Sequence, residues 1–199
     1  MTASVATPIP PIHRSIDVSW NPDAAFRRFT TDFAKWWPHS SHSVGGKLVK
    51  QIVFECQSGG RIYEELKDGR RFLWGKITAW DPPKRVAFTW HPSMEASMAQ
   101  DVEVRFNAEG TGTRVELISS GWERLGEKGK GMRKGYDLGW GSVLSTYADR
   151  WSLVMLIFTA ISRALTLGLR LTGRLDAEIN KAGGKMPAES ASSPIARTR

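Results

Sequence analysis

The stretch GGRIYEELKDGRRFLWGKITAWDPPKRVAFTW, residues 59–90, decides the fold. It contains three runs rich in β-branched and aromatic residues, and turn residues separate them. Asp68-Gly69 has the composition of a hairpin turn between the first two runs. Asp81-Pro82-Pro83 ends the second run, because proline has no N–H to donate to a strand ladder. The stretch therefore predicts a three-stranded antiparallel meander.

The segments on both sides of the meander extend the sheet. In the run after it, Val102, Val104 and Phe106 alternate with Glu103 and Arg105, which is typical of a sheet with one covered face and one wet face. The sequence predicts a first strand over residues 13–20 and six more over residues 48–55, 61–66, 72–80, 85–90, 99–107 and 113–119.

Two helices are predicted beside the sheet. Asn21-Pro22-Asp23 is a helix start, because asparagine caps well, proline suits the first turn and aspartate favours the positive end of the helix dipole. The apolar spacing of Phe26, Phe29 and Phe33 continues this helix as far as Trp36-Trp37-Pro38. A second, longer helix is predicted from about residue 131. It carries an apolar stripe made of Tyr136, Trp140, Val143, Leu144, Tyr147 and Trp151.

Four short motifs connect this pattern to a known family. They are GGRIYE at 59–64, WGKITAWDPP at 74–83, FTW at 88–90 and GWE at 121–123. Together they resemble the AHSA type of the START-like (SRPBCC) superfamily, which includes polyketide cyclases and birch-pollen-allergen-like lipid binders. The AHSA type is named after an activator of the heat-shock protein ATPase. The resemblance covers about residues 12–151 and implies an α+β helix-grip fold, in which a curved antiparallel sheet wraps around a long C-terminal helix and leaves a cavity.

The chain is predicted to divide into a flexible N-terminus (1–11), the START-like domain (12–151), a basic amphipathic helical extension (152–181) and a disordered tail (182–199). In the extension, the apolar face opposes Arg163, Arg170 and Arg174. A membrane span is disfavoured, because an arginine at the centre costs about 3 kcal/mol. Four alternatives remain open for residues 152–174. The segment packs on its own domain, forms a homodimer, contacts a membrane surface or binds a protein partner. The apolar face consists of Val154, Phe158, Ile161, Leu165 and Leu169.

Composition excludes several classes of protein. The net charge is +8, but residues 151–199 supply half of the surplus, and we see no nucleic-acid recognition motif, so nucleic-acid binding is not expected. Cys56 is the only cysteine, which rules out an internal disulfide and favours a buried, inert thiol. The first eleven residues lack a basic start followed by an apolar run, which favours a cytoplasmic location.

The candidate site is mostly aromatic. No phosphate loop, nucleophile elbow or zinc motif is present, and neither a metal nor a cofactor is expected. Glu64 and His42 are weak catalytic candidates, because a carboxyl group facing an apolar cavity exchanges protons near neutral pH. We expect instead a structural role: Glu64 and Glu65 are adjacent, so one of them faces out by alternation, and either can pair with a cross-strand Arg71 or Lys76. The predicted ligand-binding residues are Trp36, Trp37, Trp74, Phe88, Trp90, Trp122, Tyr136, Trp140 and Tyr147.

These observations favour the binding of a small hydrophobic or amphipathic ligand between the sheet and the C-terminal helix, without obligatory catalysis. A pocket of about 300–1,000 Å³ is expected there. Trp122, which follows Gly121 in a glycine-rich loop, is a candidate lid. The alternatives are a co-chaperone-like protein-binding module and a cyclase- or dehydratase-like enzyme that uses Glu64 and His42.

Overall fold

The computed structural model describes residues 8–149, and within that range seven strands form one antiparallel sheet. The order across the sheet is β1-β7-β6-β5-β4-β3-β2, so β2 to β7 form a continuous meander and β1 lies beside β7. The strands are β1 (Ile12–Val18), β2 (Val49–Phe54), β3 (Arg61–Leu66), β4 (Arg71–Asp81), β5 (Arg85–Trp90), β6 (Gln100–Glu109) and β7 (Gly112–Ser120).

Bulges curl one half of this sheet. The β6–β7 hairpin pairs without interruption from Asp101↔Ser120 to Glu109↔Gly112. The register shifts instead in three of the pairings among β2, β3, β4 and β5. An extra residue bends a strand and increases its twist, so this half of the sheet curves around the interior. The α+β helix-grip prediction is confirmed.

Within residues 8–149, three α-helices accompany the sheet, namely α1 (Pro22–Phe29), α2 (Phe33–Trp36) and α3 (Gly129–Tyr147). Asn21 caps α1 as predicted, since its side-chain oxygen accepts a hydrogen bond from Ala24 N at 2.9 Å. The prediction of one continuous helix as far as Trp36 is wrong, because the helix breaks at Thr30. The Thr30 hydroxyl donates to Phe26 O at 2.8 Å, and such threonine bonds to the preceding turn weaken a helix.

The last helix begins earlier than predicted. A short 3₁₀ segment, Trp122–Lys128, precedes it, and Gly129, Gly131 and Gly135 are helical residues, not parts of a flexible loop. Contacts with the start of the sheet fix this end of α3: Arg133 donates to Pro10 O and Pro11 O at 2.6 and 2.8 Å.

The helix α3 ends at Tyr147, where Arg28 donates to the Tyr147 carbonyl oxygen at 2.9 Å and to the Asp149 carboxylate at 2.6 Å. Asp149 has a positive φ of 55°, a left-handed conformation that stops a helix. Several predictions fall outside the described residues. They concern Trp151, the extension over 152–181, the terminal tail and the first seven residues.

The prediction that Cys56 is buried is wrong. Cys56 is exposed, because it follows the end of β2 in the turn toward β3. Its thiol donates to Phe54 O at 3.3 Å and lies 3.9 Å from the Thr31 hydroxyl.

Candidate functional site

Four tryptophans from separate elements meet between the sheet and α3, and we call them the Trp cluster: Trp37, Trp74, Trp90 and Trp140. Trp74 and Trp90 come from β4 and β5, Trp140 from α3, and Trp37 from the residue after α2. Ring centroids lie 5.5 Å apart for Trp37 and Trp74, 5.4 Å for Trp37 and Trp90, and 5.4 Å for Trp90 and Trp140. All four side chains are buried.

The indole N–H groups of the cluster differ in their partners. The Trp37 N–H donates to the carbonyl oxygen of His42 at 2.8 Å. The N–H groups of Trp74 and Trp140 are buried and have no acceptor among residues 8–149. A buried donor without a partner lowers the stability of the folded state by about 1–3 kcal/mol. The two unmet N–H groups of the Trp cluster are therefore unfavourable for folding.

Glu64 lies on β3, on the inner face of the sheet. It is fully buried, and in the strand registers it is opposite Ile52 of β2 and Phe72 of β4. Its carboxylate accepts hydrogen bonds from the backbone N–H groups of Gly45 and Val44 at 2.6 and 3.2 Å. Burial raises the pKa of Glu64 from 4.5 to about 7, and the two amide bonds oppose this only in part.

Of the two adjacent glutamates, Glu64 does not face water or pair with a basic residue. Its neighbour Glu65 makes those contacts, accepting from Lys50 at 2.7 Å and from Arg71 at 2.9 Å. Successive side chains of a strand point to opposite faces, and the pairing of β3 with β2 and β4 turns Glu64 inward. Among the described residues, no cation pairs with Glu64.

His42, the second catalytic candidate, lies in the loop that contacts Glu64. It lies in the 38–45 loop, between α2 and the short helical turn Gly46–Leu48, and this loop also supplies the two amides that bind Glu64. Its Nδ1 lies 2.9 Å from the Ser41 hydroxyl, and its ring centroid lies 6.3 Å from that of Trp37. Burial lowers the pKa of His42 from 6.5 to about 4, so the imidazole is neutral at pH 7.

Sequence reasoning missed the role of this loop. Gly45 approaches the sheet so closely that a Cβ atom would lie 2.1 Å from Leu66 Cδ2 and 3.3 Å from Glu64 Oε1. A Cβ atom there would have to displace the buried Leu66 side chain, so glycine allows the loop to lie this close to β3. The pair Gly45-Gly46, just after His42, was the available signal for a close backbone approach.

With this geometry established, the family can be assigned. The family model described as activator of Hsp90 ATPase homolog 1-like protein matches residues 19–147. The chain belongs to this family. The match spans all four members of the Trp cluster, Glu64 and His42, so the candidate site lies within the AHSA domain.

Solved structures agree with the assignment. The chain is 34% identical to an anthrahydroquino-gamma-pyrone synthase, Txn09, solved complexed with SUM, and the match covers 72% of this chain and 98% of that one with a TM-score of 0.51. The Aha1 dimer from Colwellia psychrerythraea is 19% identical, with 73% and 98% covered and a TM-score of 0.53. CalU16 from Micromonospora echinospora is 19% identical, with 80% and 87% covered and a TM-score of 0.51. The last two show the fold alone. No curated protein matches the chain.

The other predicted ligand-binding residues of this AHSA domain are not all brought to the cluster. Phe88 contacts Trp90, with centroids 5.8 Å apart. Trp36 and Tyr147 pack against each other at 5.2 Å, toward the opposite end of the interior. Trp122 is fully buried beside Tyr136 at 5.1 Å, and its N–H donates to Ser119 O at 3.0 Å. Burial raises the pKa of Tyr136 to about 12.

No helix among the described residues is both long enough and apolar enough to cross a membrane.

Proposed function

We propose that this AHSA-type protein binds a small, flat, apolar or amphipathic molecule between the sheet and α3, against the Trp cluster. The observation that carries the proposal is the meeting of four buried tryptophans from four separate elements in one place. Aromatic rings provide a large apolar contact area and stack on flat ligands. Glu64 and the two unmet indole N–H groups add the few polar groups that fix orientation in ligand sites.

The ligand needs room, because the indoles of the cluster contact one another. Trp74 and Trp90 are held on paired strands and Trp140 on a helix of 19 residues. Trp37 is attached only through the four-residue helix α2 and the 38–45 loop, and one hydrogen bond to His42 O holds its indole N–H. We therefore propose that Trp37 moves aside when the ligand enters. The expected pocket of ligand size remains a prediction of this proposal.

The similarity to the pyrone synthase supports the proposed class of ligand. That protein is described as a synthase for an anthrahydroquino-gamma-pyrone, and it is 34% identical to this chain over nearly its whole length. A fused aromatic system matches the flat contact surface that the Trp cluster offers. Anthracene is therefore a suitable probe, since it has the shape without any polar group.

The binding test uses anthracene and two matched truncations. We expect anthracene to quench tryptophan fluorescence saturably, and Trp90→Ala to weaken the affinity at least about tenfold, since Trp90 contacts the other three indoles. Trp80→Ala is the control, because Trp80 contacts Phe26 and Phe54 instead. Equal losses in the two variants would contradict the proposal.

Native mass spectrometry of protein purified from its own cell complements this test. A retained small molecule supports the carrier function. Protein that is recovered empty, and that does not bind anthracene, would favour the co-chaperone-like alternative.

A specific observation favours a second candidate, an acid–base enzyme of the cyclase or dehydratase type. Glu64 is fully buried, has no cation partner among residues 8–149 and has its pKa raised to about 7, which is the range that general acid–base catalysis requires. His42, neutral at pH 7, lies in the loop that binds Glu64.

The test for this candidate is proton exchange on a bound aromatic ketone. In D₂O, the protein is expected to accelerate deuterium incorporation at the carbon next to the carbonyl of 1-tetralone, as measured by NMR. Glu64→Gln should abolish the acceleration without loss of binding. An equal rate in the variant would exclude Glu64 as the base.

A further inference from the structure

We infer that the ligand of the Trp cluster carries a neutral carbonyl-type oxygen that accepts a hydrogen bond from the indole N–H of Trp74 or Trp140. The inference rests on the proposed function, and it adds the polar chemistry by which the site selects its ligand.

The first step concerns how the buried indoles of this protein are satisfied. The N–H groups of Trp36, Trp37 and Trp122 donate to the backbone carbonyls of Arg28, His42 and Ser119 at 2.7, 2.8 and 3.0 Å. The fold thus satisfies buried indoles with backbone acceptors. Trp74 and Trp140 depart from this pattern: their side chains are 0% and 3% exposed, and their N–H groups have no acceptor among the described residues.

The second step concerns what surrounds the two unmet donors. Trp74 and Trp140 both contact the rings of Trp37 and Trp90, with centroids 5.4–6.3 Å apart. An aromatic face accepts an N–H only weakly compared with an oxygen. A hydrogen bond from one of these N–H groups to a ligand oxygen therefore contributes more binding free energy than it would in an interior whose donors already had acceptors.

The third step decides the charge of that oxygen. The cation–π contacts of the described residues fall on Trp20, Tyr63 and Tyr147, and none falls on the Trp cluster. The buried Glu64 carboxyl group of the same domain accepts its hydrogen bonds from backbone amides and has no cation partner within residues 8–149. An anionic oxygen would be desolvated without compensation, so the geometry favours a ketone, quinone or pyrone carbonyl over a carboxylate.

The experiment compares two flat probes with the same tricyclic ring skeleton, 9,10-anthraquinone and anthracene, of which only the first carries carbonyl oxygens. Each is titrated against the full chain by tryptophan fluorescence quenching, and the measured quantity is the ratio of their dissociation constants. Because one hydrogen bond is equivalent to about tenfold in affinity, we expect anthraquinone to bind about tenfold more tightly.

Phenylalanine substitutions then assign the donor. Trp74→Phe and Trp140→Phe each keep an aromatic ring and remove the N–H. We expect at least one of them to reduce the preference for anthraquinone to about onefold. Replacing an indole by a phenyl ring also changes the shape of the site. This change affects the dissociation constants of both probes, which share one tricyclic ring skeleton, so it cancels in their ratio. Trp80→Phe, at the half-buried end of β4, is the matched control and should keep the preference.

The possible results distinguish a failure of this inference from a failure of the proposed binding function. Equal affinities of the unmodified protein for the two probes would overturn the inference and leave the proposed binding function intact. Failure of both probes to bind would overturn both. A preference that persists in Trp74→Phe, in Trp140→Phe and in the double variant would also overturn the inference.

A measurement on the unmodified protein covers the case in which the variants fail to fold. The infrared carbonyl stretch of bound anthraquinone, labelled with ¹³C at the carbonyls, should shift to lower frequency than in an apolar solvent. An unshifted band would show that the carbonyl accepts no hydrogen bond, and would overturn the inference.

Discussion

The two ends of the interior are both aromatic, but they differ in whether their buried N–H and O–H groups have hydrogen-bond acceptors. One end is the Phe/Tyr cluster, made of Phe26, Phe29, Phe106 and Tyr147, with ring centroids 5.3–5.8 Å apart and Trp36 beside it. There the Tyr147 hydroxyl donates to Ala25 O at 2.8 Å, and the Trp36 N–H donates to Arg28 O at 2.7 Å. The other end is the Trp cluster, with two unmet N–H groups.

This contrast teaches which end stabilises the fold and which end is available for function. Buried polar groups are normally paired, and exceptions call for an explanation. The Phe/Tyr cluster follows that rule and links α1 to the end of α3. The Trp cluster departs from it, and each of its two unmet N–H groups retains a cost of about 1–3 kcal/mol that a ligand can offset.

The largest effect is expected from a truncation in the Phe/Tyr cluster. Phe29 is fully buried and contacts Tyr147, Trp36 and Phe106. Phe29→Ala should lower the free energy of unfolding by about 3–5 kcal/mol, because it leaves a cavity among rings. Urea denaturation measures this. A loss below about 1 kcal/mol would break the assignment of this end as the stabilising one.

The next effect concerns pH and Glu64. Below pH 4.5 the carboxyl group is neutral in both the folded and the unfolded chain. Between pH 4.5 and about 7 the unfolded chain loses this proton and the folded chain keeps it, so the folded state loses stability as the pH rises. Above about pH 7 the penalty is constant, at about 3 kcal/mol.

Glu64→Gln should remove this penalty. The difference in unfolding free energy between the variant and the parent should shift in favour of the variant as the pH rises from 4.5 to 7, and then level off. The contribution of His42 has the opposite slope, since its folded pKa is lowered to about 4, but it is present in both proteins and cancels. A difference that does not vary with pH would show that Glu64 is not in a desolvated site.

A smaller effect compares the same substitution at the two ends. Trp36→Phe removes a satisfied N–H and leaves Arg28 O without that donor, whereas Trp74→Phe removes an N–H that had no acceptor among the described residues. We expect Trp36→Phe to cost about 1–3 kcal/mol more than Trp74→Phe. Thermal and urea unfolding of both variants check this. Equal costs would remove the distinction between the ends.

The smallest effect is expected on the outer face of the sheet. Glu65 pairs with Lys50 and Arg71, whose side chains are 58% and 47% exposed. Lys50→Met should change the unfolding free energy by less than about 1 kcal/mol, because the exposed Lys50 contributes little and the buried Glu65 carboxylate keeps its bond from Arg71. It should leave anthracene binding unchanged. A larger loss would show that the outer face stabilises this half of the sheet.

Local signals predicted the fold well. The limits of β3 and β5, the Asn21 cap and the Asp68-Gly69 turn depend on neighbouring residues, and the structure agrees with each of them. The break after α1 was not predicted, because the spacing of Phe29 and Phe33 fits a continuous helix, and only the Thr30 hydroxyl bond shows otherwise.

The site was less predictable for a physical reason. Strand alternation requires that one of Glu64 and Glu65 faces inward, but which one does so depends on pairing with β2 and β4, where the register shifts. The content of tryptophan indicated an aromatic interior. Which indole N–H groups find an acceptor depends on tertiary contacts such as Trp37 with His42 O, and the sequence does not encode these locally.

The most direct test of the Trp cluster as the binding site is an NMR titration of the indole N–H resonances with anthraquinone. Each resonance is assigned from the corresponding Trp→Phe variant. We predict that the resonance of at least one of Trp74 and Trp140 moves downfield as its N–H gains an acceptor, while that of Trp36, already bonded to Arg28 O, stays in place. Unmoved Trp74 and Trp140 resonances at saturating anthraquinone would contradict the account.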